Sequence, residues 1–161
     1  MNKEIIKRIN HWKRGIKAGP YGIEISPTLR CNLNCKFCWR YEKEHIDYEG
    51  ELSKEEYFSL LDQAKKLSVR EVKIIGGGES IYRRDTFEIM RKIKELGFFG
   101  YICTNGTLLT RSSIEMLVKN KWNHIKISFH GANSKTHDLL TEVPGSYNQV
   151  IKNVKLINSF K

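Results

Sequence analysis

The chain has 161 residues, of which 40% are hydrophobic and 29% are charged, a composition typical of one folded domain. No apolar run is long enough to cross a bilayer, and charged residues interrupt the N-terminal segment, so we expect a cytoplasmic protein with reduced thiols and no membrane contact. The 28 Lys and Arg against 18 Asp and Glu give a net charge of +10, but these residues form no dense block. We therefore expect a solvated basic surface rather than a nucleic-acid site.

The first predicted element is an N-terminal helix over residues 2–18. Ile5, Ile9 and Trp12 recur there at helical spacing, with basic residues between them. Gly19-Pro20 then interrupts the chain, and residues 22–26 predict a short first strand.

Strands and helices alternate after this point. Three further strands are predicted over residues 71–75, 98–103 and 124–129. A helix follows each of the four strands, and we predict capping residues at the four helix starts, Ser53, Asp85, Thr110 and Ser146. Four strand–helix units in series predict an α/β fold with parallel strands and right-handed crossovers.

The segments that directly follow the four strands carry the chemistry-bearing residues. These segments are CNLNCKFC (31–38), GGGES (76–80), TNG (104–106) and SFHG (128–131). In parallel α/β folds, ligands gather at the C-terminal ends of the strands. The pattern therefore predicts that all four segments meet at one functional site.

Cys31, Cys35 and Cys38 place three thiols within eight residues. This number favours a [4Fe–4S] cluster in which one iron lacks a protein ligand. One alternative is a Cys₃His zinc site completed by His45 or His11, and another is a Cys35–Cys38 redox pair. The fourth cysteine, Cys103, lies inside a predicted strand, and we expect it to be a small buried apolar residue.

The C-x3-C-x-Φ-C stretch, in which Phe37 is the aromatic residue, resembles the signature of the radical S-adenosylmethionine (radical SAM) superfamily. Other segments are similar to motifs of that family, and their order along the chain is the same. They are Gly77-Gly78-Glu79 (GGE), Thr104-Asn105-Gly106 (TNG), and residues 128–131 with His137-Asp138 and residues 143–146. The last group is similar to a stretch of the peptide-modifying, SPASM-like subgroup.

The resemblance implies a partial TIM-like (β/α) barrel with about four of the usual six units. It implies one radical SAM core domain over residues 1–161, with a cluster loop over 27–41 and strand–helix units over 22–161. Cys31, Cys35 and Cys38 would hold the [4Fe–4S] cluster, and SAM would chelate its fourth iron. The implied SAM-binding residues are Phe37, Gly77, Gly78, Glu79, Thr104, Asn105 and Ser128.

The implied activity is reductive cleavage of SAM to a 5′-deoxyadenosyl radical, which abstracts hydrogen from a substrate. We expect a peptide or protein substrate and a reductant such as flavodoxin or ferredoxin. One rival hypothesis is a non-catalytic cluster- or zinc-binding module. A second, prompted by the charge of +10, is an RNA-modifying radical enzyme.

The sequence departs from the family pattern at several points. Ser80 follows GGE where proline is frequent, His130 stands where Asp is common, and Thr141 stands where Arg is common. Four units would leave the last strand with an unpaired edge, at which self-association is expected. The length fits a fragment, or a short form that closes this edge by association, better than a relative that has lost catalysis, because the cluster and SAM motifs are intact.

Overall fold

The computed structural model describes residues 2–41 and 50–160. Its strands are β1 (Gly22–Ile25), β2 (Glu71–Ile74), β3 (Phe99–Thr104) and β4 (His124–Ile127). The described residues also form six α-helices: α1 (Lys3–Lys13), α2 (Lys54–Lys66), α3 (Thr86–Glu95), α4 (Arg111–Lys119), α5 (Ser134–Thr141) and α6 (Ser146–Asn158).

The four strands form one open sheet in the order β1-β2-β3-β4, and every neighbouring pair is parallel. The predicted α/β class with parallel strands is therefore confirmed. Because all strands are parallel, their C-terminal ends lie at one edge of the sheet, as the sequence predicted.

The two faces of the sheet differ in chemistry because side chains alternate along each strand. Val72, Ile74 and Ile102 lie on the face that the helices cover, and all three are buried. They pack in one core with Leu61 of α2 and Ile89 of α3. Burying each of these side chains stabilises the fold by roughly 1.5–3 kcal/mol.

Helix α1 is attached to the opposite end of the sheet from the predicted site. The buried guanidinium of Arg8 donates hydrogen bonds to the carbonyls of Gly19, Pro20 and Ser68, just before β1 and β2 begin. The helix ends at Lys13, so the predicted range of 2–18 was too long. Gly15 adopts a φ of 72°, a left-handed conformation that terminates helices.

Two of the four predicted caps are confirmed. Ser53 and Thr110 each accept a hydrogen bond from the backbone three residues later. Asp85 makes no side-chain cap bond, because the guanidinium of Arg83 binds its carboxylate instead. Ser146 is the first residue of α6 rather than its cap, and its hydroxyl donates to Asp138.

Helix α5 was not predicted, because its eight residues, SKTHDLLT, lack a regular apolar stripe. Asn133 caps it by accepting a hydrogen bond from the backbone N–H of Thr136. Its buried residues, His137 and Thr141, are polar. Within residues 2–41 and 50–160, no helix is long and apolar enough to cross a membrane.

Candidate active site

A cavity of about 360 Å³ lies at the edge where the strands end. The structure brings together every residue that the sequence predicted for the cluster and for SAM. Those lining the cavity are Cys31, Cys35, Phe37, Cys38, Gly77, Gly78, Glu79, Thr104, Asn105 and Ser128.

The glycine segment after β2 holds the first half of the cysteine loop, residues 27–41. The N–H of Gly78 donates to the Thr28 carbonyl, and the N–H of Glu79 donates to the Arg30 carbonyl, both at 2.8 Å. A Cβ on Gly78 would lie 2.0 Å from the Arg30 carbonyl oxygen. The glycine is therefore required by the close approach of the loop, and the segment is more than a tight turn.

Glu79 connects the ends of β2 and β3 and is only 3% exposed. Its Oε1 accepts from the Thr104 hydroxyl at 2.7 Å and from the Ile81 N–H at 3.1 Å. Its Oε2 accepts from the Asn105 N–H at 2.6 Å. Burial raises the pKa of this carboxyl, although the three hydrogen bonds oppose the shift.

Asn105 connects this carboxylate to the first cysteine. Its Nδ2 donates to Asn32 Oδ1 at 2.9 Å and lies 3.9 Å from Cys31 Sγ. The backbone N–H of Leu33 also donates to Cys31 Sγ, at 3.4 Å. Two N–H donors, from Leu33 and Asn105, therefore approach Cys31 Sγ.

The second half of the loop is held by α5. The N–H groups of Asn34 and Lys36 donate to the carbonyls of Thr141 and Leu140, at 3.1 and 3.0 Å. The Asn34 side chain adds a hydrogen bond to Glu142 Oε2 at 2.7 Å. Thr141 therefore supports the loop through its backbone, while its own hydroxyl is buried.

Asp138 in turn fixes the junction between α5 and α6. Its carboxylate accepts from the N–H groups of Tyr147 at 2.8 Å and Gly145 at 2.7 Å, and from the Ser146 hydroxyl at 2.9 Å. The hydrogen bond from Tyr147, aided by the other two, lowers the pKa of Asp138. The His-Asp and Pro-Gly-Ser stretch is thus a support for the loop.

The three cysteines are free and partly buried. Burial and, to a smaller extent, repulsion from Cys31 and Cys38 raise the pKa of Cys35 to about 11. Three crowded thiols of this kind become thiolates when a metal replaces their protons. The donor set therefore fits a metal-containing group.

A single zinc ion would need its ligands to be brought together by the fold. Among residues 2–41 and 50–160, no group of three or more His, Cys, Asp or Glu is arranged to hold a metal ion. His11 lines a different cavity beside α1, and His45 lies outside the described residues.

The pocket also includes Cys103, which the sequence reasoning did not assign to the site. Cys103 is only partly buried, so its assignment to the core was wrong. Its Sγ lies 3.7 Å from the Ser128 hydroxyl, on the face of β3 opposite Ile102. Side chains alternate between the two faces along β3, and this pattern would have placed Cys103 on the face opposite Ile102. His130 also lines the pocket, with its ring centroid 4.6 Å from that of Phe37.

The model of the Radical SAM superfamily matches residues 25–160 of the chain. An AdoMet-dependent heme synthase of Methanosarcina barkeri is 32% identical over 130 residues, which cover 81% of this chain and 37% of the relative. A PqqA peptide cyclase of Granulibacter bethesdensis is 30% identical over 139 residues, covering 86% of this chain and 36% of the relative.

Solved structures show the same similarity. Streptococcus suis SuiB bound to S-adenosylmethionine superposes with a TM-score of 0.77 at 27% identity, covering 94% of this chain and 34% of SuiB. SuiB bound to its precursor peptide SuiA also matches with a TM-score of 0.77. The chain spans only about a third of the length of these relatives.

Proposed function

Because the chain belongs to the radical SAM superfamily, whose members use a [4Fe–4S] cluster and SAM, we propose that it binds both groups in the 360 Å³ pocket and cleaves SAM reductively. The observation that carries this proposal is that three free thiols and the hydrogen-bonded pair Glu79 and Asn105 line the same cavity. When bound and reduced, the cluster supplies the electron that breaks a C–S bond of SAM and yields a 5′-deoxyadenosyl radical. We propose that residues 1–161 form one core domain for this purpose.

Cys31, Cys35 and Cys38 are the proposed ligands of three irons. The loop that carries them is anchored on both sides, by Gly78 and Glu79 at one end and by the C-terminal end of α5 at the other. Such anchoring sets the direction of the thiolates before the metal binds, which reduces the entropy lost on binding.

Glu79 is the proposed partner of the SAM ammonium. A carboxylate has about four acceptor positions, two on each oxygen. From the described residues, Oε1 accepts two hydrogen bonds and Oε2 accepts one, which leaves one position on Oε2 for a ligand. A cation at this position would also compensate a buried negative charge. Thr104 is then a positioning residue, because its hydroxyl donates to Glu79.

Ser128 and Phe37 are suited to the remaining parts of SAM. The Ser128 backbone continues the sheet by donating to the Thr104 carbonyl at 2.9 Å, which directs its hydroxyl beside Cys103. We propose that this hydroxyl donates to the carboxylate or ribose. Phe37, 56% exposed beside His130, offers an apolar surface for the adenine, and the carbonyls of Gly77 and Gly78 offer acceptors.

We propose a peptide as the substrate. Support comes from the match to a peptide cyclase and from the match to SuiB, which has been crystallised with a precursor peptide. The proposed electron donor is a flavodoxin or ferredoxin. It could approach over Trp39, which is 67% exposed at the cluster loop.

The test is anaerobic reconstitution of the chain with iron and sulfide, followed by reduction with dithionite in the presence of SAM. We expect 5′-deoxyadenosine, measured by mass spectrometry, from the wild-type chain. Cys31→Ala, Cys35→Ala and Cys38→Ala should each abolish it, whereas Cys103→Ala should retain a cluster. A reconstituted cluster that gives no 5′-deoxyadenosine would contradict the proposed activity of this chain.

A further inference from the structure

The cysteine loop carries two cationic side chains whose surroundings differ. The ammonium of Lys36 is half exposed and lies 3.9 Å from Glu142 Oε1. Arg40 lies in the short 3₁₀ helix that directly follows Cys38, and it is only 8% exposed. It lines the 360 Å³ pocket together with the three cysteines. The loop therefore has one cation at the protein surface and one at the wall of the pocket.

Arg40 lacks the partners that a buried guanidinium normally has. In the described ranges 2–41 and 50–160, it makes no ion pair, and its Nε donates no hydrogen bond. By contrast, the buried guanidinium of Arg8 donates to three carbonyls and pairs with Glu4. Burying an unpaired cation is costly, so the position of Arg40 indicates that an anionic group belongs in the pocket beside it.

The cysteines next to Arg40 indicate which anion this is. An attractive electrostatic interaction connects Arg40 to the thiolate form of Cys35, one of the proposed cluster ligands. Three thiolates outweigh the positive charge of an oxidised cluster core, so the ligated cluster is an anion, and reduction adds a further negative charge. A buried cation nearby therefore stabilises the reduced form more than the oxidised form, and the low dielectric of the interior strengthens this effect.

We propose that Arg40 is the counter-cation of the [4Fe–4S] cluster and raises its reduction potential. The inference rests on the proposed function, because it takes the three cysteines as cluster ligands. Arg40 binds no iron and donates no proton in this role. Its charge changes the equilibrium of the electron transfer in which the donor, a flavodoxin or ferredoxin, loses one electron and the cluster gains it.

The experiment measures the midpoint potential of the reconstituted cluster by a dithionite titration followed by electron paramagnetic resonance, without SAM. A failure to cleave SAM would not affect this measurement. Arg40→Gln should make reduction about tenfold less favourable, which lowers the potential by about 59 mV for one electron. Arg40→Lys keeps the positive charge and should stay within about threefold of wild type. Lys36→Gln is the matched control, and its effect should be smaller because solvent screens an exposed cation.

Two further measurements separate this role from other roles of Arg40. In the metal-free chain, Arg40→Met should unfold at a higher urea concentration than wild type, since it removes a buried, unpaired charge. In the reconstituted chain, Arg40→Gln should leave the SAM affinity, measured by equilibrium dialysis, within about twofold of wild type.

An unchanged potential in Arg40→Gln, or an equal shift in Lys36→Gln, would overturn the inference and leave the proposed function intact. Weaker SAM binding at an unchanged potential would assign Arg40 to the SAM carboxylate instead. If Arg40→Gln holds no iron, the metal-free comparison decides, because a lower urea midpoint for Arg40→Met would mean that Arg40 only supports the fold. A wild-type chain that forms no cluster would overturn the proposed function and this inference together.

Discussion

The two halves of the cysteine loop are held by different kinds of structure. The half with Cys31 is bonded to Gly78 and Glu79, which themselves line the pocket. The half with Cys35 is bonded to carbonyls at the end of α5, whose position depends on Asp138 and α6. A change in the first support alters the pocket directly. A change in the second support acts only through the stability of the junction between α5 and α6.

The largest expected effect comes from removing a thiol from the loop itself. Cys35→Ala should abolish the broad brown absorbance of the reconstituted chain, because two cysteines cannot hold three irons. Iron content and the visible spectrum are the measurements. Cys103→Ala is the matched control, since Cys103 lies on β3 and outside the loop. Unchanged iron content in the Cys35 variant would disprove the ligand assignment.

A second prediction concerns the glycine segment of the first support. It separates the effect of a steric clash at one glycine from the effect of an unfavourable backbone conformation at another. Gly78→Ala places a methyl group 2.0 Å from the Arg30 carbonyl oxygen, so the loop must move and most of the cluster should be lost. Gly76→Ala is the control, because a Cβ there meets no atom within 4 Å and only the φ of 78° is unfavourable.

The Gly76 variant should lose about 1–2 kcal/mol of unfolding free energy and still bind iron. Urea unfolding and iron analysis of both variants test the pair. Equal iron retention in the two would show that the contact between Gly78 and the loop is dispensable.

The third prediction concerns Glu79, which touches the pocket without belonging to the loop. Glu79→Gln puts an amide where the carboxylate accepts from Thr104, Ile81 and Asn105, so at least one donor loses its partner. We expect a loss of about 1–3 kcal/mol in stability and about tenfold weaker SAM binding, with the cluster retained. Equilibrium dialysis of SAM against reconstituted protein measures the affinity.

Glu115→Gln is the control for this change. Glu115 is exposed on α4 and only 3.8 Å from Arg111, so its loss should leave SAM affinity unchanged. If Glu79→Gln binds SAM as wild type does, the proposed ammonium contact is wrong and Glu79 serves only to join the strands.

The same contrast explains which parts of the site the sequence could predict. The first support consists of short motifs at strand ends, and parallel topology alone brings such motifs together. The second support depends on α5, which has no apolar periodicity and is held by polar contacts from His137, Thr141 and Asp138. Patterns in a single sequence do not predict such contacts, because the contacts form only after the chain has folded.

Particular errors have the same origin. Asp85 was predicted to cap α3, but a competing guanidinium two residues earlier binds it. Cys103 was assigned to the core from its residue type, whereas its position in β3 places it opposite Ile102. The residues that the resemblance assigned to the cluster and SAM line one pocket, yet the resemblance did not reveal the hydrogen bonds of Thr104 and Asn105 to Glu79 and Asn32.

The smallest expected effect tests the second support through its pH dependence. Hydrogen bonds from Tyr147, Gly145 and Ser146 lower the pKa of Asp138. A carboxylate with a depressed folded-state pKa stabilises the fold above its unfolded value of about 3.9 and loses that contribution as the pH falls through the folded value. Asp138→Asn should therefore lower the melting temperature at pH 7, and the gap from wild type should shrink below about pH 4.

Thermal unfolding at several pH values measures that gap, and iron content after reconstitution at pH 7 is the second measurement. The iron content should stay at the wild-type level, because Leu140 and Thr141 can still accept from the loop. A gap that is the same at every pH would mean that the charge of Asp138 does not stabilise the α5–α6 junction. Loss of iron would mean that the two supports are coupled, so that the second half of the loop is as critical to the pocket as the first.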